Sequence, residues 1–166
     1  IQELMSEAVL KHEKLILDLP IRRVTITEYN NAKKELEAYI KEKQGNFDFN
    51  DSAKLHIFAG TMARYEFQQN HDIHQIEIHI ARLGDVAFAT NPFELFLDYG
   101  NQIRARSKAK QTFLIQLANG GDGYLPTKRA EQGSHYSAYV SSGITGHQGG
   151  ELLVRKTLQK INEMWG

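Results

Sequence analysis

The pattern that most constrains this chain runs from residue 74 to residue 90. Isoleucine occupies every second position from 76 to 80 with polar residues between, which is the period of a strand with one buried face. Gly84 and the aspartate after it predict a tight turn, and residues 86 to 90 predict the second arm of a hairpin. Such a hairpin must cover its isoleucine face with other apolar elements.

The remainder of the chain supplies those elements, because helical and extended patterns alternate along it. The other predicted strands are residues 21 to 26 and a buried strand at 112 to 118. The predicted helices are residues 3 to 17, 27 to 44, 52 to 69, 94 to 105 and 150 to 165. Pro20 ends the first of them, and Gly45 is the predicted C-cap of the second. This order predicts an α/β fold, in which a layered domain has a mixed β-sheet flanked by helices. We expect residues 1 to 166 to form a single domain.

Composition excludes several classes of function. Lysine plus arginine and aspartate plus glutamate number 20 each, so no global charge favours nucleic acid as a partner. Cysteine is absent, which rules out disulfides, thiolate metal sites and a cysteine nucleophile. No run approaches the roughly 20 apolar residues of a transmembrane segment. Because the chain begins at Ile1 without an initiator methionine, we expect it to be a piece of a longer polypeptide.

A glycine-rich loop, ANGGDGYLPT at residues 118 to 127, follows the predicted buried strand. Its glycines allow the backbone to approach a ligand closely, and its amides can cradle an anion. The loop lacks the spacing of a P-loop or a dinucleotide-binding motif, and it lacks most ligands of a calcium loop. Its single large side chain, Tyr124, therefore needs a function that these motifs do not supply.

Two other sets of polar residues are open to a structural and a functional interpretation. Glu94 follows a strand end and Pro92, where a carboxylate either complements a helix dipole or belongs to a site of an α/β fold. Three histidines lie close together along the chain at residues 71, 74 and 79. Their spacing matches no strong metal motif, and we favour ordinary solvent-facing histidines over a metal site. His12 and His56, on predicted helices, are interpreted as surface or core residues.

Three segments resemble one known family: LGDVAFATNPFELFLDYG, FLIQLANGGDGYLPTKRAEQGSHY and GGELLVRKTLQKINEMW. They are similar to the C-terminal part of the catalytic domain of the neutral (alkaline, non-lysosomal) ceramidases and their bacterial relatives. The resemblance covers about residues 76 to 165. Its most specific pieces are Pro-x-Glu after the hairpin, Asn-Gly-x-x-Gly-Tyr-Leu-Pro-Thr after residue 118, and a tyrosine twelve residues beyond Tyr124.

The resemblance implies a zinc-dependent amidohydrolase that cleaves the amide of ceramide to sphingosine and a fatty acid. The family holds one zinc with two histidines, a glutamate and a tyrosine. By position, the metal ligands here are Glu94 and Tyr124, and the catalytic residue that polarises the substrate carbonyl is Tyr136. The family's glycine before the glutamate is Phe93 in this chain. The two histidines lie upstream of the matching region.

Several expectations follow from this resemblance. The substrate would be an N-acyl lipid or another amide, the parent protein would be secreted or periplasmic, and the isolated chain would be inactive. Its partner would be the upstream part of the same polypeptide, and an exposed apolar patch is expected where that part packs. The alternative is a non-catalytic ceramidase-like domain that has lost the metal site and binds a lipid, a glycan or a protein. A third hypothesis is a hydrolase that uses the same catalytic residues on another amide or on an ester.

Overall fold

A four-stranded mixed sheet lies at the centre of the fold in the computed structural model, which describes residues 7 to 166. The strands are β1 (Leu10–Pro20), β2 (Ile73–Leu83), β3 (Val86–Thr90), β4 (Glu94–Leu95), β5 (Gln111–Ile115) and β6 (Tyr124–Leu125). The helices are α1 (Ile26–Lys43), α2 (Asp51–Phe67), α3 (Leu97–Arg106), α4 (Lys128–Gly133) and α5 (His147–Glu163). The sheet order is β1-β2-β3-β5, with antiparallel pairs except for the parallel β3–β5 pair. The predicted α/β class with a mixed sheet is confirmed.

The β2–β3 hairpin forms as the alternating pattern predicts. Ile76, Ile78 and Ile80 are buried on one face of the sheet, where they join a core that α3 and α5 complete. Fully burying an isoleucine stabilises a fold by about 1.5–3 kcal/mol, so this face accounts for much of the stability of the sheet. None of the helices within residues 7 to 166 is long and apolar enough to cross a membrane.

The predicted helix at residues 3 to 17 is wrong. From Leu10 onward the chain is strand β1, which pairs antiparallel with β2 along its whole length, while residues 3 to 6 lie outside the described part. Leu17 and Leu19 face the core and Asp18 faces solvent, which is a period of two that the helical interpretation overlooked. The segment is a strand because β2 provides a pairing partner, and strand formation depends on neighbouring strands more than on intrinsic propensity.

The predicted strand at residues 21 to 26 is also wrong. Ile21 makes only an isolated bridge to Thr145, and α1 begins at Ile26. Thr25 and Glu28 form a reciprocal capping box, which satisfies amide groups that the start of a helix leaves unpaired. At its other end α1 stops at Gln44, which has a φ of 49°, one residue before the predicted cap.

The predicted buried strand at residues 112 to 118 is shorter and more exposed than expected. Strand β5 ends at Ile115 and lies at the edge of the sheet, where Phe113 and Ile115 keep 43% and 45% of their surface. On the same uncovered face, Ile16 of β1 is half exposed. This face of the sheet therefore exposes three large apolar side chains, with the charged residue Glu77 beside Ile16.

Helices α1 and α2 form a helical hairpin that is tied at its end by a buried carboxylate. Asp51, the first residue of α2, accepts hydrogen bonds from the Tyr39 hydroxyl and, at 2.7 Å, from the Asp48 amide, and it pairs with Lys43 Nζ at 2.7 Å. Lys43 is the largest cause that lowers the pKa of Asp51 to about 2, and Tyr39 adds to it. The seven residues between the two helices are therefore anchored to α1.

We expect this anchor to make stability depend on pH in acid. Since the pKa of Asp51 is lower in the folded chain than in the unfolded one, its contribution is complete above about pH 4 and is lost as the pH falls through about 2. Urea denaturation at about pH 5 and about pH 2.5 should show a smaller loss of stability for Asp51→Asn than for the native chain. An equal loss in both proteins would contradict the assignment. Glu42→Gln, a change of an exposed carboxylate in the same hairpin, is the control.

Candidate functional site

Two of the predicted site residues are paired partners in a small parallel sheet. Strand β4 pairs with β6 so that Glu94 lies opposite Tyr124 and Leu95 lies opposite Leu125. The two leucines are buried, and the intermediate exposure of Glu94 and Tyr124 agrees with the alternation of faces along a strand. Residues opposite each other project to the same side, so the carboxylate and the phenol are neighbours.

The glycine-rich loop reaches this position because its backbone packs directly on other backbone. Gly123 has a φ of 73° and forms an isolated bridge to Gly143, and its carbonyl accepts a 2.9 Å hydrogen bond from the Glu94 amide. A side chain on Gly123 would approach the Ser142 carbonyl to 2.5 Å, and one on Gly143 would collide with the carbonyl of Tyr124. The glycines thus permit the close approach that the sequence indicated, although the neighbour is this chain's own backbone.

The third predicted residue, Tyr136, packs against the same pair. It begins a 3₁₀ turn, Tyr136–Ala138, and its ring meets the ring of Tyr124 edge-on, with centroids 5.6 Å apart. Its carbonyl accepts a 2.5 Å hydrogen bond from the Ser142 hydroxyl, which fixes the turn beside the Gly123–Gly143 bridge. Glu94, Tyr124 and Tyr136, spread over 43 positions of the sequence, therefore lie around one cavity of about 350 Å³.

Neighbouring groups keep Tyr124 protonated. The Tyr136 hydroxyl is the largest cause that raises the pKa of Tyr124 above its ordinary value, and the Glu94 carboxylate and burial raise it further. A phenol next to a carboxylate donates a hydrogen bond, and the negative charge of Glu94 opposes a second negative charge on Tyr124. A cation between them would reverse this preference, because positive charge favours the phenolate.

Helix α2 supplies part of the cavity that the sequence interpretation missed. Ala53, His56 and Ile57 line it, at the spacing of one face of a helix. That spacing is the signal that could have identified this face, although residues 52 to 69 were interpreted only as a helix. The exposed His56, interpreted as an ordinary surface or core residue, is thus an imidazole at the cavity.

A buried hydroxyl without a partner also lies at the cavity. Ser141 belongs to the second 3₁₀ turn, Val140–Ser142, and its buried Oγ has no hydrogen-bond partner among residues 7 to 166. It fits there because α2 has Gly60 at the contact, where a side chain would come within 2.7 Å of the Ser141 Cβ. A buried hydroxyl without a partner is costly, and the close contact with Gly60 holds Ser141 in this position.

The environment of Glu94 differs from the helix-dipole interpretation of its sequence position. Residues 94 and 95 are a strand, and α3 begins only at Leu97, so the predicted helix at residues 94 to 105 starts too early. Glu94 is therefore not in the first turn of a helix, and a helix dipole does not explain it. Strand pairing is stabilised here by the Gln116 side chain, which accepts a 2.7 Å hydrogen bond from the Leu95 amide.

Phe93, at the position of the family's glycine, does not occupy the cavity. Its side chain is completely buried in the core, edge-on to the ring of His74 with centroids 6.3 Å apart. The cavity is lined by other residues, so the larger side chain is accommodated on the opposite side of the chain from Glu94. Strand alternation explains this separation, because adjacent residues project to opposite faces.

The three histidines that are close in sequence contact different residues in the fold. His74 bonds the Asp122 carboxylate at 2.7 Å and so attaches the glycine-rich loop to β2, whereas His79 lies between His12 and Glu77 at 2.8 and 2.9 Å. His71 stacks on the Phe67 ring. Within residues 7 to 166, no three histidine, aspartate or glutamate residues are grouped so that they could hold a metal ion. Glu94 and Tyr124 are oxygen donors of the kind that zinc accepts, and they amount to two of its usual four ligands.

No protein-family model, curated protein or solved structure matches this chain. Any function proposed for the chain therefore has to be argued from the geometry around Glu94 and Tyr124.

Proposed function

We propose that this chain is the C-terminal part of the catalytic domain of a ceramidase-like, zinc-dependent amidohydrolase that hydrolyses an N-acyl amide. The supporting observation is that the register of β4 and β6 pairs Glu94 with Tyr124, while Tyr136 packs on Tyr124 at the same cavity. These are the three positions that the resemblance selects, and they come from separate parts of the sequence. The proposal includes the secreted or periplasmic location that the resemblance implies.

In this proposal Glu94 and Tyr124 hold zinc, and the upstream part of the polypeptide supplies the histidines. When bound, zinc would activate a water molecule for attack on an amide carbonyl. Glu94 and Tyr124 present their oxygens from a paired backbone, so their separation does not depend on a flexible loop. The edge-on packing of Tyr136 on Tyr124 holds its hydroxyl at the cavity, where it can donate a hydrogen bond to the oxygen of the substrate carbonyl.

The cavity agrees with one end of an amphiphilic substrate. Ala53 and Ile57 contribute apolar surface to its lining, and Tyr139, Ser141 and Ser142 are polar residues of the same lining. Its volume of about 350 Å³ is near the lower end for small-molecule sites, which suits an amide with its nearest carbons. A long acyl chain would extend beyond the described residues.

The second candidate is a ceramidase-like domain that does not bind metal. It is favoured by the raised pKa of Tyr124, which Tyr136 and then Glu94 cause, because a neutral phenol is a poorer metal ligand than a phenolate. Such a domain would use the same cavity to bind a lipid, a glycan or a protein partner.

Elemental analysis of the full-length polypeptide distinguishes these candidates. About one zinc per chain is expected if Glu94 and Tyr124 complete a site that begins upstream. Absence of zinc after reconstitution would contradict the enzyme and would make the non-catalytic domain the better description.

Tyr136→Phe should separate catalysis from metal binding. We expect zinc content to stay the same and kcat on a short-chain N-acyl amide to fall by about 10²–10³, the usual cost of one oxyanion donor. Tyr139→Phe, which removes another hydroxyl from the same cavity, should change kcat by less than about fivefold. If the two variants lose equal activity, the assigned role of Tyr136 is wrong.

A further inference from the structure

The loop between α1 and α2, residues 44 to 50, exposes large apolar side chains at the end of the helical hairpin. Phe49 keeps 90% of its surface and Phe47 keeps 43%, and in the last turn of α1 Ile40 keeps 47%. Single exposed apolar residues are common on soluble proteins, but a cluster at one tip indicates a surface for interaction.

The tip is an ordered structure that holds Phe49 outward. The carbonyl of Phe49 accepts hydrogen bonds from the amide of Ser52 at 3.3 Å and from its hydroxyl at 2.6 Å. The Asp48 carboxylate accepts a 2.7 Å hydrogen bond from the Asn50 amide. Together with the Asp51 anchor, these bonds fix the backbone on both sides of the phenylalanine. Its exposure is thus a property of the folded turn.

The charges around the tip cancel. Between residues 43 and 54 there are two lysines, Lys43 and Lys54, and two aspartates, Asp48 and Asp51. Lys43 pairs with Asp51, and Lys54 lies over the Tyr39 ring, 4.8 Å from its centroid. A neutral tip with exposed aromatic rings is complementary to a surface without net charge. It does not suit an anionic membrane or an acidic protein.

The tip also adjoins the cavity. Ala53, His56 and Ile57, which line the cavity, belong to the first two turns of α2. Phe49 lies two residues before the start of α2 and four before Ala53. The tip therefore leads directly into the helix that forms one wall of the cavity.

From these observations we propose that the tip inserts Phe47 and Phe49 into the interface of a zwitterionic lipid surface. Aromatic side chains bury their rings at the boundary between headgroups and acyl chains. The inserted tip would bring the α2 wall of the cavity to the level of the headgroups. An amphiphilic amide could then enter the cavity from the lipid layer. Only this last step, delivery of a substrate, rests on the proposed amidohydrolase function.

Flotation of the full-length polypeptide with phosphatidylcholine vesicles tests the proposal, because the upstream part of the chain is then present and can cover the tip if it packs there. The native chain should bind, and the double variant Phe47→Ala/Phe49→Ala should bind at least about tenfold more weakly, as expected when two aromatic side chains are truncated. Leu97→Ala is the matched control, because Leu97 is a large apolar residue, 69% exposed, on a different helix. It should change the binding by less than about twofold. Binding should also be nearly constant between about 0.05 and 0.5 M salt.

Three results would overturn the proposal. They are absence of binding to phosphatidylcholine vesicles, equal binding by the double variant, and binding that appears only with phosphatidylserine and disappears in salt. If the phenylalanine changes abolish self-association in gel filtration and leave vesicle binding intact, the tip binds another protein chain. None of these measurements requires zinc, so their failure is distinct from a failure of the zinc analysis on the full-length polypeptide.

Discussion

Replacing Glu94 by glutamine in the full-length polypeptide is expected to weaken zinc binding by at least tenfold. Loss of a residue that only supports a ligand commonly costs about 10–100-fold in metal affinity, and loss of a ligand should cost at least as much. Glutamine keeps the size of the side chain and the β4–β6 pairing, but it removes the negative charge beside Tyr124. Bound metal can be measured by elemental analysis after dialysis against a buffered zinc concentration.

Tyr124→Phe is the second variant of this experiment and should give a similar loss. Its ring can still pack edge-on against Tyr136, so the fold around the cavity should be preserved. Tyr139→Phe provides the control, since it removes a hydroxyl from the same cavity without touching the paired strands. If both Glu94→Gln and Tyr124→Phe keep the native zinc content, these residues are not ligands.

Phe93→Ala is expected to lower the free energy of unfolding by about 3–5 kcal/mol, the usual cost of removing a fully buried aromatic side chain. Phe93 has no exposed surface and belongs to the main core, where the surrounding side chains cannot collapse fully into the space it leaves. Its amide donates a 3.1 Å hydrogen bond to the Asn91 side chain, so the backbone of this segment should keep its conformation in the variant. Urea denaturation of the 166-residue chain measures the change.

Phe49→Ala is the matched control for this prediction, because it makes the same truncation at a position that is 90% exposed. A change at such a surface position is expected to stay within about 0.5 kcal/mol. A loss below about 1 kcal/mol for Phe93→Ala would mean that the side chain does not fill the core as described. At a temperature where the variant is folded, the cavity lined by Glu94 and Tyr124 should be retained.

Local sequence patterns predicted the elements whose periodicity was complete within one segment. The β2–β3 hairpin, α2 and α5 form where isoleucine alternation or helical spacing indicated, with small shifts at their ends. These elements are specified locally, because each has an apolar face that only one type of secondary structure can bury. The α/β class follows from their order along the chain.

The same patterns failed where a distant segment supplied the hydrogen-bond partner. Leu10–Pro20 has helix-forming residues but is a strand, since β2 is available along its whole length. Glu94 was assigned to a helix, yet it pairs with a residue thirty positions further along the chain. In both cases pairing with a distant strand satisfied the backbone groups, and the interpretation of the local segment did not include that partner.

At the candidate site, the residues alone identified a glutamate after the hairpin, a tyrosine after a glycine-rich loop, and a second tyrosine beyond it. The folded chain was needed to show that Glu94 and Tyr124 are direct neighbours, that Tyr136 packs on Tyr124, and that α2 provides one wall of the cavity. This division arises because a side chain's type is a property of one position. Its neighbours depend instead on strand register and on the close approach of backbones at Gly123 and Gly143, which connect segments far apart in the chain.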